Sequence, residues 1–197
     1  MSPLQVRTIA RASVSSTAAS RLELLEYYLA HHEDMLGCAQ ASVDWLVQYA
    51  GVKQSVCLAV EAESNMLVGI AGAGVERDDV ELFSWPLSDA RDPLVAALAA
   101  AQPIVFRQAR ANGHPLPTTP LGAGAFTAVP LRGIRHLEES ALGLLLVRSG
   151  NGLNSDVAWL VTVLGQKIQQ VRGRGASRRK SRSCVVSARS SSRSSIP

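Results

Sequence analysis

The sequence predicts an α+β domain: a mainly antiparallel sheet of five or six strands with helices packed on it. Three observations carry that prediction. Hydrophobic residues make up 47% of the 197, enough to bury one core, while aromatics are 5% and charged residues 18%, so the core is aliphatic. The segments run helix, two or three strands, helix, three strands, helix. Strands and helices therefore do not alternate one for one, as a doubly wound parallel sheet requires.

The elements follow in order. Residues 1–20 are rich in Ser, Ala and Thr and lack periodicity, so they are expected to be a flexible segment ahead of a domain spanning 21–170. From Arg21, the positions Leu22, Leu25, Leu29, His32, Leu36, Ala39, Val43, Leu46 and Ala50 form a heptad-like stripe on a long first helix, with Gly51 as its stop. Ser55–Ala62 and Met66–Ala71 are apolar runs around the turn Glu63-Ser64-Asn65, which reads as a hairpin. Asp78–Glu81 allows a helical turn, and Leu82–Leu87 is a strand, placed at an edge by Pro86. Asp92 caps a helix to Ala101 with Pro93 at its first position. Pro103–Phe106 is a short strand, and Arg107–Gly124, with its prolines and glycines, is a long loop of the kind that carries function. Ala125–Leu131 and Ala141–Ser149 are strands joined by a polar loop holding His136, Glu138 and Glu139. Asn154–Gln170 is a helix capped by Asn154 or Ser155.

Composition and motifs exclude several classes. The apolar content rules out a fully disordered chain. The longest apolar runs, Ala141–Val147 and Val157–Leu164, fall short of the roughly 20 residues of a membrane span. The N-terminus lacks the apolar core of a secretory signal. Three cysteines, Cys38, Cys57 and Cys184, at unrelated spacings fit a reducing cytoplasm and no disulfide framework or zinc cluster. Neither Cys38 nor Cys57 has a flanking cation to lower its pKa, so both read as packed core thiols. In Gly69–Gly74 the order is G-x-x-G-x-G, neither a dinucleotide fingerprint nor a phosphate loop, and a permissive strand end is the plainer reading. The cluster His31-His32-Glu33-Asp34 cannot converge on one ion, because neighbours on a helix point about 100° apart. No Ser-His or Cys-His arrangement is visible for acyl transfer. Trp45, Trp85 and Trp159 read as core or interface.

The net charge of +4 conceals two parts. Residues 171–197 hold eight basic residues, nine serines and no acid, leaving 12 basic and 16 acidic residues, net −4, in 1–170. The tail is expected to be disordered and dispensable for folding. It reads either as an arm for nucleic acid or anionic lipid or as an out-of-frame product of GC-rich DNA.

Three segments resemble the GAF domain, a small-molecule sensing module related to PAS domains. They are the long helix running into VKQSVCLAVEAESNMLVGIAGAGV, then FSWPLSDARDPLVAALAAAQPIVF, then PLGAGAFTAVPLRG followed by ALGLLLVRS. Together they span about residues 22–170. The resemblance implies helices on both sides of the sheet and a pocket between the sheet and the Asp89–Gly124 connections. Candidate pocket residues are Phe83, Trp85, Asp89, Phe106, His114, Phe126 and Thr127, with mainly apolar walls. The resemblance also implies a non-catalytic cytoplasmic domain sensing a small molecule or redox state, a fragment of a bacterial two-component or transcriptional signalling protein whose kinase or other output domain lies elsewhere. It implies dimerisation through the terminal helices, with a seam at Leu22, Leu25, Leu29 and His32, an unidentified small-molecule ligand and no membrane. The cofactor is left unknown: the Cys-His pair of bilin-binding relatives is missing, and His114 of the 107–124 loop is the histidine that haem would find there. The alternatives are a GAF-type enzyme such as a methionine sulfoxide reductase, whose cysteines the 107–124 loop lacks, and nucleic-acid binding through the tail if the tail is genuine.

Overall fold

A computed structural model describes residues 3–107, 118–133, 141–150 and 152–171, with side chains from Thr17 onward. The elements are α1 (Pro3–Ala30), α2 (Met35–Tyr49), β1 (Val52–Glu61), β2 (Met66–Ala73), α3 (Arg77–Glu81), β3 (Ser84–Pro86), α4 (Pro93–Ala99), β4 (Ile104–Phe106), β5 (Phe126–Leu131) and β6 (Gly143–Ser149). A final helix, α5, covers 155–171. The strands form one six-stranded sheet in the order β3-β2-β1-β6-β5-β4, and every neighbouring pair is antiparallel.

Strand alternation divides the core into two layers. Cys57, Val129, Leu131, Leu145 and Val147 face α1, α2 and α5, which contribute Leu24, Tyr28, Val43, Leu46, Leu160, Leu164 and Ile168. Val56, Leu58, Phe126, Ala128, Leu144 and Leu146 face the other way, against Val80 of α3 and Leu94 and Ala97 of α4. The central strands β1 and β6 are thus apolar on both faces, which is why their sequences run without strict alternation. Burying each leucine is worth roughly 1.5–3 kcal/mol.

The hairpin, the edge strand β3, the Asp92 cap of α4 and the cap of α5 lie where the sequence predicts them. Asn154 is the α5 cap, its Oδ1 accepting from Asp156 N at 3.1 Å and Val157 N at 3.0 Å. Gly51 stops α2 in the left-handed region, with φ 67°.

Two expectations at the N-terminus are corrected. Residues 3–20, expected to be a flexible segment, belong to α1. Nothing between Pro3 and Ala30 breaks a helix: Pro3 sits at the start, where its missing N–H costs nothing, and no glycine follows. The single long first helix is in fact two. Asp34 accepts from Gly37 N at 2.8 Å and caps α2, so the chain turns at 31–34. The heptad-like stripe consequently holds only in α2, where Ala39, Val43 and Leu46 are buried. In α1 the inward residues are Ser20, Leu24 and Tyr28. The tail 172–197, expected to be disordered, lies outside the described residues, as do His136, Glu138, Glu139 and Cys184.

Candidate functional site

The aromatic residues that the sequence proposes for a pocket fall on the α4 face of the sheet. Phe106 and Phe126, on paired strands, stack at 4.8 Å and are buried in the second core. Phe83 and Trp85 lie parallel at 6.3 Å, half-buried against the same core. These four rings share one side of the sheet. Thr127 does not join them: it follows Phe126 in the strand and falls on the opposite side, with Val129 and Leu131. Asp89 is exposed, and its carboxylate accepts from Arg91 N at 2.8 Å in a local turn. Asp92 accepts from Leu94 N and Val95 N at the α4 cap. His114 lies outside the described residues.

The returning leg of the 107–124 loop adds two residues that the sequence did not single out. Arg148, the one cation in an otherwise aliphatic strand, bonds to Ala123 O at 3.0 Å, Ala125 O at 3.3 Å, Gly122 O at 3.4 Å and the Gln54 side chain. It clamps this leg to β6, and a lone arginine ending an apolar strand was the available cue. Thr119 is buried, and its hydroxyl has no hydrogen-bond partner among the described residues.

A cleft of about 600 Å³ opens at the outer edge of the sheet. Its floor is β2 from Gly69 to Gly72, and its walls come from Leu36, Gly37 and Gln40 on one side and Val75, Arg77, Val80 and Glu81 on the other. The Gln40 amide substitutes for a neighbouring strand: it donates to Gly72 O at 2.9 Å and accepts from Gly72 N at 3.3 Å. The glycine-rich run is explained here. A Cβ on Gly69 would lie 2.0 Å from Val80 O, and one on Gly72 would lie 2.6 Å from the Val80 side chain, so α3 sits directly on bare backbone. Arg77 is tied to Glu81 on its own helix.

On the opposite face, the proposed seam residues Leu22, Leu25 and Leu29 are 58%, 37% and 77% exposed, and His32 is exposed with them. Beneath them lies a polar network that the sequence did not reveal. Lys167 of α5 is buried and donates to Tyr28 O at 2.9 Å and His31 O at 3.3 Å, closing the C-terminal end of α1. Tyr28 shares a short hydrogen bond with Ser42, which in turn donates to Cys38 O at 2.6 Å. Burial raises the pKa of the Tyr28 hydroxyl and the Cys38 thiol and pushes the Cys57 thiol up to about 12. Both cysteines are free and buried, with the thiol favoured over the thiolate. Among the described residues no three His, Cys, Asp or Glu side chains gather to hold a metal, and no helix is long and apolar enough to cross a membrane.

The fold is that of GAF domains. The GAF domain of a phosphoenolpyruvate-protein phosphotransferase from Coxiella burnetii is similar with a TM-score of 0.59 and 14% identity, over 81% of this chain and 98% of that one. The GAF domain of a putative sensor histidine kinase from Pseudomonas syringae pv. tomato gives 0.53 and 14%, over 91% and 99%. A free methionine-R-sulfoxide reductase from Neisseria meningitidis, in complex with its substrate, gives 0.52 and 17%, over 79% and 89%. No protein-family model matches the sequence, and no curated protein matches it.

Proposed function

We propose that this chain is a non-catalytic, cytoplasmic sensor domain of a bacterial signalling protein, binding a small molecule on the α4 face and dimerising through α1. The observation that carries the proposal is the two-sided sheet. The aromatic set Phe83, Trp85, Phe106 and Phe126 packs on one face, and the terminal helices α1 and α5 on the other, with β6 between them. A ligand that also reaches the returning leg of the 107–124 loop would meet the buried Thr119 hydroxyl, which has no hydrogen-bond partner among the described residues. Binding that favours one packing of the sheet over another would bias the helices behind it. The fold likeness to domains from a sensor kinase and a phosphotransferase supports the sensory role, and the lack of loop cysteines in 107–124 weighs against the reductase reading.

Native mass spectrometry of the protein purified from its own host tests the ligand. A bound small molecule, displaced or weakened in Phe106→Ala and Thr119→Val variants, is the expected result. A ligand-free protein that also shows no thermal stabilisation across a metabolite panel would count against the reading.

A further inference from the structure

None of the four aromatic rings lines the cleft at the sheet edge, and its surroundings favour one occupant. Its floor and walls are apolar at Leu36, Ile70, Val75 and Val80. Its charged lining residues, Arg77 and Glu81, pair with each other, and the exposed Glu76, Asp78 and Asp79 beside them in sequence leave this side with an excess of acid. At the opposite rim, Asp34 starts α2 two residues before Leu36. An apolar trough between acidic rims fits a segment that presents apolar residues flanked by cations.

The chain itself supplies such a segment. In 178–189 the sequence is Arg-Arg-Lys-Ser-Arg-Ser-Cys-Val-Val-Ser-Ala-Arg, five cations bracketing Cys184, Val185 and Val186. The end of α5 lies near the start of the cleft's α2 wall. Lys167 bonds to His31 O, and Asp34 N bonds to the same carbonyl oxygen at 3.1 Å, so α5 runs out beside the turn that begins the cleft wall. Val171 is one helical turn further, about 6 Å along the axis. From there the six residues 172–177 could span up to roughly 20 Å if extended. We propose that residues 178–189 dock in cis into the cleft between α2 and α3, with Val185 and Val186 on its floor and the arginines against the acidic rim. The segment is thereby a tethered occupant, and any external basic peptide must displace it.

The test uses the full chain with a nitroxide on Cys184, the buried Cys38 and Cys57 being left unlabelled, and amide spectra recorded with the label oxidised and reduced. Expected are losses of at least half the peak intensity for Gly37, Gln40, Gly72 and Val80 at low salt, reversed when the screening length falls to about 3 Å near 1 M salt. Asp78→Asn with Asp79→Asn in the full chain should restore the same peaks. So should Arg178→Ser, Arg179→Ser and Lys180→Ser, which leave the folded body untouched. Cleft amides that stay sharp, or broadening that persists in both variants, would overturn the proposal. Broadening seen only between a labelled copy and a separate isotope-enriched copy would overturn docking in cis.

Discussion

Asn154 shows how much order a single side chain supplies: its oxygen caps α5, and its nitrogen donates to Ala50 O at 2.9 Å, at the end of α2. Lys167 does the converse at the far end of α5, closing α1 with its buried Nζ. Replacing Lys167 with Met keeps the stem and leaves two carbonyl groups with a lost donor, so stability should fall by about 1–3 kcal/mol, read as a lower urea midpoint. Cys57 gives a pH signature. Its folded thiol keeps its proton up to about 12, against an ordinary value of 9.0. The stabilisation is therefore complete below about pH 9, and is lost progressively as pH rises from there toward 12, at up to about 1.4 kcal/mol per pH unit. In Cys57→Ala the fall of stability between pH 9.5 and 11 should be shallower by that order. An unchanged slope would show that Tyr28 and Cys38 alone carry the alkaline loss.

At the scale of elements, the strands and short helices were legible because each had a local signal: apolar runs bounded by turn residues, Pro after Asp at α4, Gly after α2. What escaped were relations between elements. The stripe from Leu22 to Ala50 could be read as one helix because three-and-four spacing survives the 31–34 turn by coincidence, and only the Asp34 cap breaks it. Thr127 follows Phe126 in sequence, but adjacent strand residues cannot share a face, so it leaves the aromatic set. The cleft has no sequence signature because Gly69 and Gly72 of its floor present bare backbone, which gives no hydrophobic pattern. The Arg148 clamp was equally hidden, since its acceptors are carbonyl oxygens from 122, 123 and 125 and no side-chain pattern encodes them. Arg148→Ala should release this leg with little change in the global midpoint. Hydrogen exchange should speed up across 121–126 and stay unchanged in β1. Equal protection of 121–126 in both proteins would show that Leu121 burial alone fixes the leg.

For the whole molecule, the question is what covers α1. Within one chain, α1 turns Leu24 and Tyr28 inward and leaves Leu22, Leu25 and Leu29 on its outer side. Leu36 is also 61% exposed, at the start of α2. Scattered exposed leucines are ordinary, but three at spacings of three and four on one helix form a continuous ridge. Each leucine transferred from water gains roughly 1.5–3 kcal/mol, and a like ridge on a second copy can accept them by knobs-into-holes packing. The inward and outward faces of α1 are then separate, so the seam can be broken without touching the core. Leu25→Glu together with Leu29→Glu should give a folded monomer, with the melting temperature changed only by the lost association, while Leu24→Glu should unfold the domain. Light scattering on the unmodified chain should report twice the single-chain mass of 20.9 kDa. A single-chain mass at high micromolar concentration would refute the dimer and leave the ridge to a partner of another kind.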